Sequence, residues 1–157
     1  MSTRIYSSIL PLAQILSCLA CVAHSTSPHS CVCRYGLAVE HTLKDLTLWN
    51  GENGRTYFYQ SELPYEATQA QFGVPGFTGY RVAKGVLRHA GYGIGVYAYF
   101  RDHNVTVASG IVCPPALESS FVAPLSVFLN GNGGIAHVIN HKGKASYGPT
   151  TTVNYVC

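Results

Sequence analysis

The chain has 157 residues, 47% hydrophobic and 11% charged, with a formal net charge of +3. That length suits one packed domain, the composition excludes whole-chain disorder, and the weak charge excludes a nucleic-acid clamp driven by basicity alone. Sixteen Gly, eight Pro and eleven Tyr beside one Trp and one Met favour short strands and turns over a helical bundle.

Arg4 precedes an apolar run from Ile9 to Ala23, followed by the small and polar residues His24 to Ser30. This order predicts a secretory signal peptide over residues 1–25, leaving a single domain over 26–157 and a secreted product. No later stretch is long and apolar enough for a membrane span. The leader would carry away Cys18 and Cys21, leaving Cys31, Cys33, Cys113 and Cys157. Four cysteines in a secreted chain read as two disulfides with three possible connectivities. Cys31 and Cys33 stand too close in sequence to pair without strain, so Cys157 is expected to bond one of them. Such a bridge closes a loop of more than roughly a hundred residues, worth about 4–5 kcal/mol in the chain-entropy picture. The C-x-C spacing lacks the paired C-x2-C of a zinc site, so neither metal nor cofactor is expected.

In the mature chain, Leu37, Val39, Leu43, Leu46 and Leu48 fall near helical spacing, which predicts a helix over Gly36 to Trp49. Asn50 to Arg55 would stop it, and Thr56 to Gln60 reads as an aromatic strand. Residues 60–78 read as a long connection with at most a short hairpin. Tyr80 to Leu87, Gly93 to Arg101 and Val105 to Val112 alternate between turn residues, the pattern of an antiparallel meander. Phe121 to Leu129 and Ile135 to Asn140 flank Asn130 to Gly134 (NGNGG), which predicts a hairpin and not a phosphate-binding loop, because no helix follows. Thr150 to Val156 would be a last strand. The expected fold is α+β, one helix packed on a four- to five-stranded antiparallel sheet, without internal repeats.

The strand period groups Ile135, His137, Ile139 and His141 on one face, and Tyr97, Tyr99 and Arg101 on another. If the two faces coincide, imidazoles, phenols and a guanidinium could stack bases and meet phosphate. The plainer alternative buries the tyrosine rings and histidines in the sheet with their polar tips outward. Asn104-Val105-Thr106 is an N-glycosylation sequon. No nucleophile elbow and no His-Glu-x-x-His helix is present.

The stretch Val127 to Cys157, with its Val/Phe strand, Asn-rich turn, His141-Lys142-Gly143 and terminal cysteine, resembles the end of the guanyl-specific fungal ribonucleases. Cys33 followed by a helix fits the same resemblance. It implies a microbial ribonuclease-like fold with His141 as general acid. The family's Tyr-Pro-His element is most nearly matched by Tyr80-Arg81-Val82, its catalytic Glu by Tyr99, and its phosphate-binding Arg by Leu125, so base and cation are both missing. The resemblance therefore implies a catalytically degenerate, ribonuclease-like effector of the kind secreted by plant-pathogenic fungi. Such a protein would be a monomer that is delivered into host cells and binds host RNA or a host protein through Tyr80, Tyr97, Tyr99, Arg101 and His137. The alternatives are an active guanyl-preferring endoribonuclease, with Glu62, Glu66, His89 or Arg101 filling the gaps, and a killer-toxin-like protein acting on a channel or membrane.

Overall fold

The computed structural model describes residues 32–148 and 152–156. Its strands are β1 (Cys33–Tyr35), β2 (Ala38–Glu40), β3 (Thr47–Trp49), β4 (Gly54–Glu62), β5 (Tyr80–Val82), β6 (His89–Val107), β7 (Ile111–Val112), β8 (Phe121–Val122), β9 (Leu125–Ile135), β10 (Ser146–Tyr147) and β11 (Thr152–Tyr155). Helical structure among the described residues is limited to a π-helical turn, Gln69–Gly73, and a 3-10 turn, Pro115–Ser120. None of it is long and apolar enough to cross a membrane. The expected α+β fold with a helix on an antiparallel sheet is thus corrected to an almost wholly β architecture.

The pairing is parallel. β4 pairs in parallel with β1 and β2 on one side and with β6 on the other, and β6 pairs in parallel with β8 and β9. A second parallel stack runs β3–β5–β7. Each strand therefore meets its counterpart one turn of chain later: Gly54 lies beside His89, Tyr80 beside Ile111, and Gly95 beside Leu125. The chain winds as a parallel β-helix, a stack of coils in which each coil buries its inner side chains on the next. β10 and β11 reverse direction and pair antiparallel with β9.

A bend recurs at one place in every coil. Gly36, Phe58, Gly93 and Ala123 all have left-handed backbone, with φ of 62°, 55°, 63° and 51°. The flanking registers align them: Tyr35, Tyr57, Tyr92 and Val122 pair in series before the bend, and Ala38, Gln60, Gly95 and Leu125 after it. The bend divides the large sheet into two faces. On the first, Tyr35, Tyr57 and Tyr92 stack outside the coil, each ring centroid 4.8 Å from the next and the planes within 7°.

Inside, alternation fills the core. Tyr59 and Ser61 point inward from β4, and Val96, Ala98 and Phe100 from β6, stacking with Val39, Ile94, Ser126 and Phe128 of neighbouring coils. A polar seam runs within it. The Tyr59 hydroxyl donates to the Gly79 carbonyl at 2.7 Å and sits 2.9 Å from Thr47 Oγ1, while Tyr80 Oη lies 2.7 Å from Thr56 Oγ1 and 2.9 Å from His89 Nε2. Burial raises both tyrosine pKa values well above the ordinary phenol range.

Three sequence expectations change for identifiable reasons. The helix over Gly36 to Trp49 is replaced by β2 and β3: Val39 and Leu46 are buried but Leu43 is 49% exposed, so the apolar spacing served two short strands around a corner at His41 (φ 58°). The meander becomes parallel coils, because alternation is the same in either pairing sense. The NGNGG hairpin is absent: β9 runs through it beside β6, with Gly131 opposite Phe100 and Gly133 opposite Val105. Glycine is needed there because a Cβ on Gly133 would stand 2.1 Å from the Val105 carbonyl oxygen, and φ is 92°.

Candidate functional site

Beyond the bend, the outer face of the second sheet half gathers the most varied chemistry. The register sets Glu40, Glu62 and Tyr97 in one row and Gln60, Gly95 and Leu125 in the next. Between this face and the bend lies a groove of about 360 Å³, lined by Phe58, Gln60, Gly93, Gly95, Tyr97, Ala123, Leu125 and Tyr155. Phe58 and Tyr155 are exposed, at 80% and 58%. An open groove with aromatic rims and the Gln60 amide is suited to a ligand with apolar faces and a hydroxyl edge.

At one end of the Glu62 row the side chains interlock. The Tyr65 hydroxyl donates to Glu62 Oε2, and His41 Nε2 stands 3.9 Å from the same oxygen. The His41 ring meets Tyr65 edge-on at 4.1 Å, and Tyr65 packs against Tyr99 at 4.9 Å. The hydrogen bond to Glu62, ahead of burial, pushes the Tyr65 pKa up to about 12. Ligand atoms of Glu40, His41 and Glu62 lie within 4.8 Å of one another, a set that could hold a cation, although Glu40 is exposed.

The sequence-predicted residues are distributed differently from what the resemblance implied. Tyr80 is fully buried in the polar seam. Tyr97 lines the groove and Tyr99 supports Tyr65. Arg101 is exposed and paired with Glu66 at 2.7 Å and Asp102 at 2.9 Å, and its hydrogen bond to Asp102 holds that carboxyl below the usual range. His137 and His141 come together, rings 5.8 Å apart, on a turn beyond β9 where Ile139 bridges to Ile111 of the other stack. His141 has φ 62° there, and its backbone amide donates to Ser109 Oγ at 3.0 Å. His89 is buried against Trp49, with centroids 4.8 Å apart. Asn104 is exposed on β6.

Cys113 is buried, with Asn140 Nδ2 3.5 Å from its sulfur, and burial pushes the thiol pKa up to about 11. Cys33 begins β1, half-buried, while Cys31, Cys157 and the expected leader, residues 1–25, lie outside the described residues. Sequence reading missed Phe58, Gln60, His41 and Tyr155. One signal was available: Tyr57, Phe58 and Tyr59 are consecutive, and a strand cannot turn three adjacent aromatics to one side.

Comparison with known proteins fits this architecture. A profile of the LAM55 pectate lyase-like domain matches residues 28–62. An exo-beta-1,3-glucanase of Streptomyces sp. (strain SirexAA-E / ActE) is 38% identical over 126 residues, covering 77% of this chain and 21% of its own length. The structure of sacteLam55A from Streptomyces sp. SirexAA-E superposes with a TM-score of 0.73 at 36% identity, over 80% of this chain and 24% of that one. A variant of sacteLam55A in complex with glucose superposes with a TM-score of 0.72 at 36% identity, over the same 80% and 24%. The chain spans about a fifth to a quarter of the length of these relatives. These matches overturn the ribonuclease resemblance, and with it the readings as an RNA-binding pseudoenzyme effector, a guanyl-preferring ribonuclease or a killer toxin. The His-x-Gly and terminal cysteine that suggested a ribonuclease are short features, whereas the similarity to sacteLam55A extends along most of the coil stack.

Proposed function

We propose that the chain is a β-helical, exo-β-1,3-glucanase-like protein that binds β-1,3-glucan. The observation that carries this reading is the 38% identity over 126 residues with the Streptomyces exo-beta-1,3-glucanase. The outer groove supports it chemically. A glucan presents CH-rich pyranose faces and a rim of hydroxyls, and the groove presents the rings of Phe58, Tyr97 and Tyr155 beside the Gln60 amide. Secretion, expected from the leader, accords with a polymer substrate outside the cell. Glucan binding by this face does not require the chain to cleave the polymer.

The test is retention of the purified full chain on insoluble β-1,3-glucan, with crystalline cellulose in parallel. Retention on the β-1,3-glucan, released by soluble laminarin, is expected. Absence of retention, or equal retention on cellulose, would overturn the proposal.

A further inference from the structure

The bend that recurs in every coil carries a bulky side chain at one of its four left-handed positions. Gly36 and Gly93 occupy the left-handed position without steric cost, and Ala123 with a minimal side chain. Phe58 occupies the same position at φ 55°, where a bulky side chain is an outlier. The core does not explain it, since Phe58 is 80% exposed. Neither does ring packing. Tyr35, Tyr57 and Tyr92 on the adjoining face stack on one another, whereas among the described residues no ring stacks on Phe58. A residue that is costly to its backbone and contributes little to the core is a functional candidate.

Its surroundings say for what. Phe58 stands on one rim of the groove, with Tyr97 and Tyr155 also lining it. Gly93 lines it without a side chain, where a Cβ would reach van der Waals contact with Phe58 Cδ1 at 3.9 Å, so a methyl-sized space stays open beside the ring, while the Tyr97 ring covers Gly95. Gln60, exposed on the following row, offers both a donor and an acceptor. We infer that Phe58 is the principal stacking residue of a glucan subsite on the outside of the coil, with a pyranose face on its ring and the sugar hydroxyls turned to Gln60. The inference rests on the β-1,3-glucan reading above and adds to it the place and the residue.

The experiment is calorimetric titration of the full chain with laminarihexaose, for wild type, Phe58→Gly and Phe58→Tyr, with thermal unfolding of each. Phe58→Gly is expected to weaken binding at least fivefold without lowering the unfolding midpoint, since glycine accepts the left-handed backbone. Phe58→Tyr is expected to restore affinity to within twofold. Wild-type binding left unchanged by Phe58→Gly would overturn the subsite while the glucan reading stands. A lowered midpoint with unchanged affinity would make Phe58 a structural residue and would equally overturn it. If wild type itself fails to bind laminarihexaose, the glucan reading falls and the subsite with it.

Discussion

His89 makes the fold sensitive to acid. The side chain is 4% exposed among Trp49, Tyr80 and Phe121, its Nε2 is 2.9 Å from the Tyr80 hydroxyl, and its Nδ1 has no partner among the described residues. Burial lowers its pKa from 6.5 to about 4. The folded form thus resists a proton that the unfolded chain accepts readily. Above pH 6.5 both states hold a neutral imidazole and stability is at its full value. As the pH falls from 6.5 toward 4, the unfolded chain gains a proton and the folded one does not, so stability falls. Below 4 both are charged and the loss levels off. At 1.36 kcal/mol per pKa unit, the total is about 3 kcal/mol, with a slope that does not exceed about 1.4 kcal/mol per pH unit. Urea unfolding at pH 7, 5.5 and 4 measures it, with His89→Gln as comparison because glutamine keeps a polar atom for Tyr80 without titrating. The variant is expected to lose most of this slope. The same slope in His89→Gln and wild type would refute the argument.

Other outcomes follow from the packing. Gly133→Ala should cost about 2 kcal/mol or more, because its Cβ would collide with the Val105 carbonyl oxygen at 2.1 Å in a left-handed backbone; an unchanged urea midpoint would count against the β6–β9 register. Ile94→Ala, at a fully buried position in the coil interior, should cost about 2–5 kcal/mol by the same assay, and a loss below about 1 kcal/mol would place Ile94 outside the core. Cys113, buried with a thiol pKa raised to about 11, should resist iodoacetamide in the native protein and react once urea unfolds it; native alkylation at the unfolded rate would contradict its burial.

Much of the strand content was legible, while its arrangement was not. Thr56 to Gln60 falls inside β4 and Gly93 to Arg101 inside β6, and the alternation that places Ala98 and Phe100 inward and Tyr97 and Arg101 outward is visible in the residues themselves. Pairing direction is not visible, because parallel and antiparallel strands share the same two-residue period. The repeat was hidden by unequal coils: Arg34 pairs with Thr56, Thr47 with Tyr80 and Val107 with Ile135, so no fixed spacing recurs in the sequence. The groove required both pieces of knowledge. Tyr97 could be read as an outward aromatic, but Phe58 stands out only when Gly36, Gly93 and Ala123 are known to share its place in the coil. The family resemblance failed for a related reason, since a His-x-Gly and a late cysteine are local features and the fold is defined by contacts one coil apart.

A crystal structure of the full chain with laminarihexaose tests the coil pairing and the glucan subsite together. Parallel coils with Gly54 beside His89 and Gly95 beside Leu125 are expected, with a pyranose ring lying on Phe58 and its hydroxyls toward Gln60. Saccharide bound away from this outer face, or antiparallel pairing of β4 with β6, would contradict this arrangement.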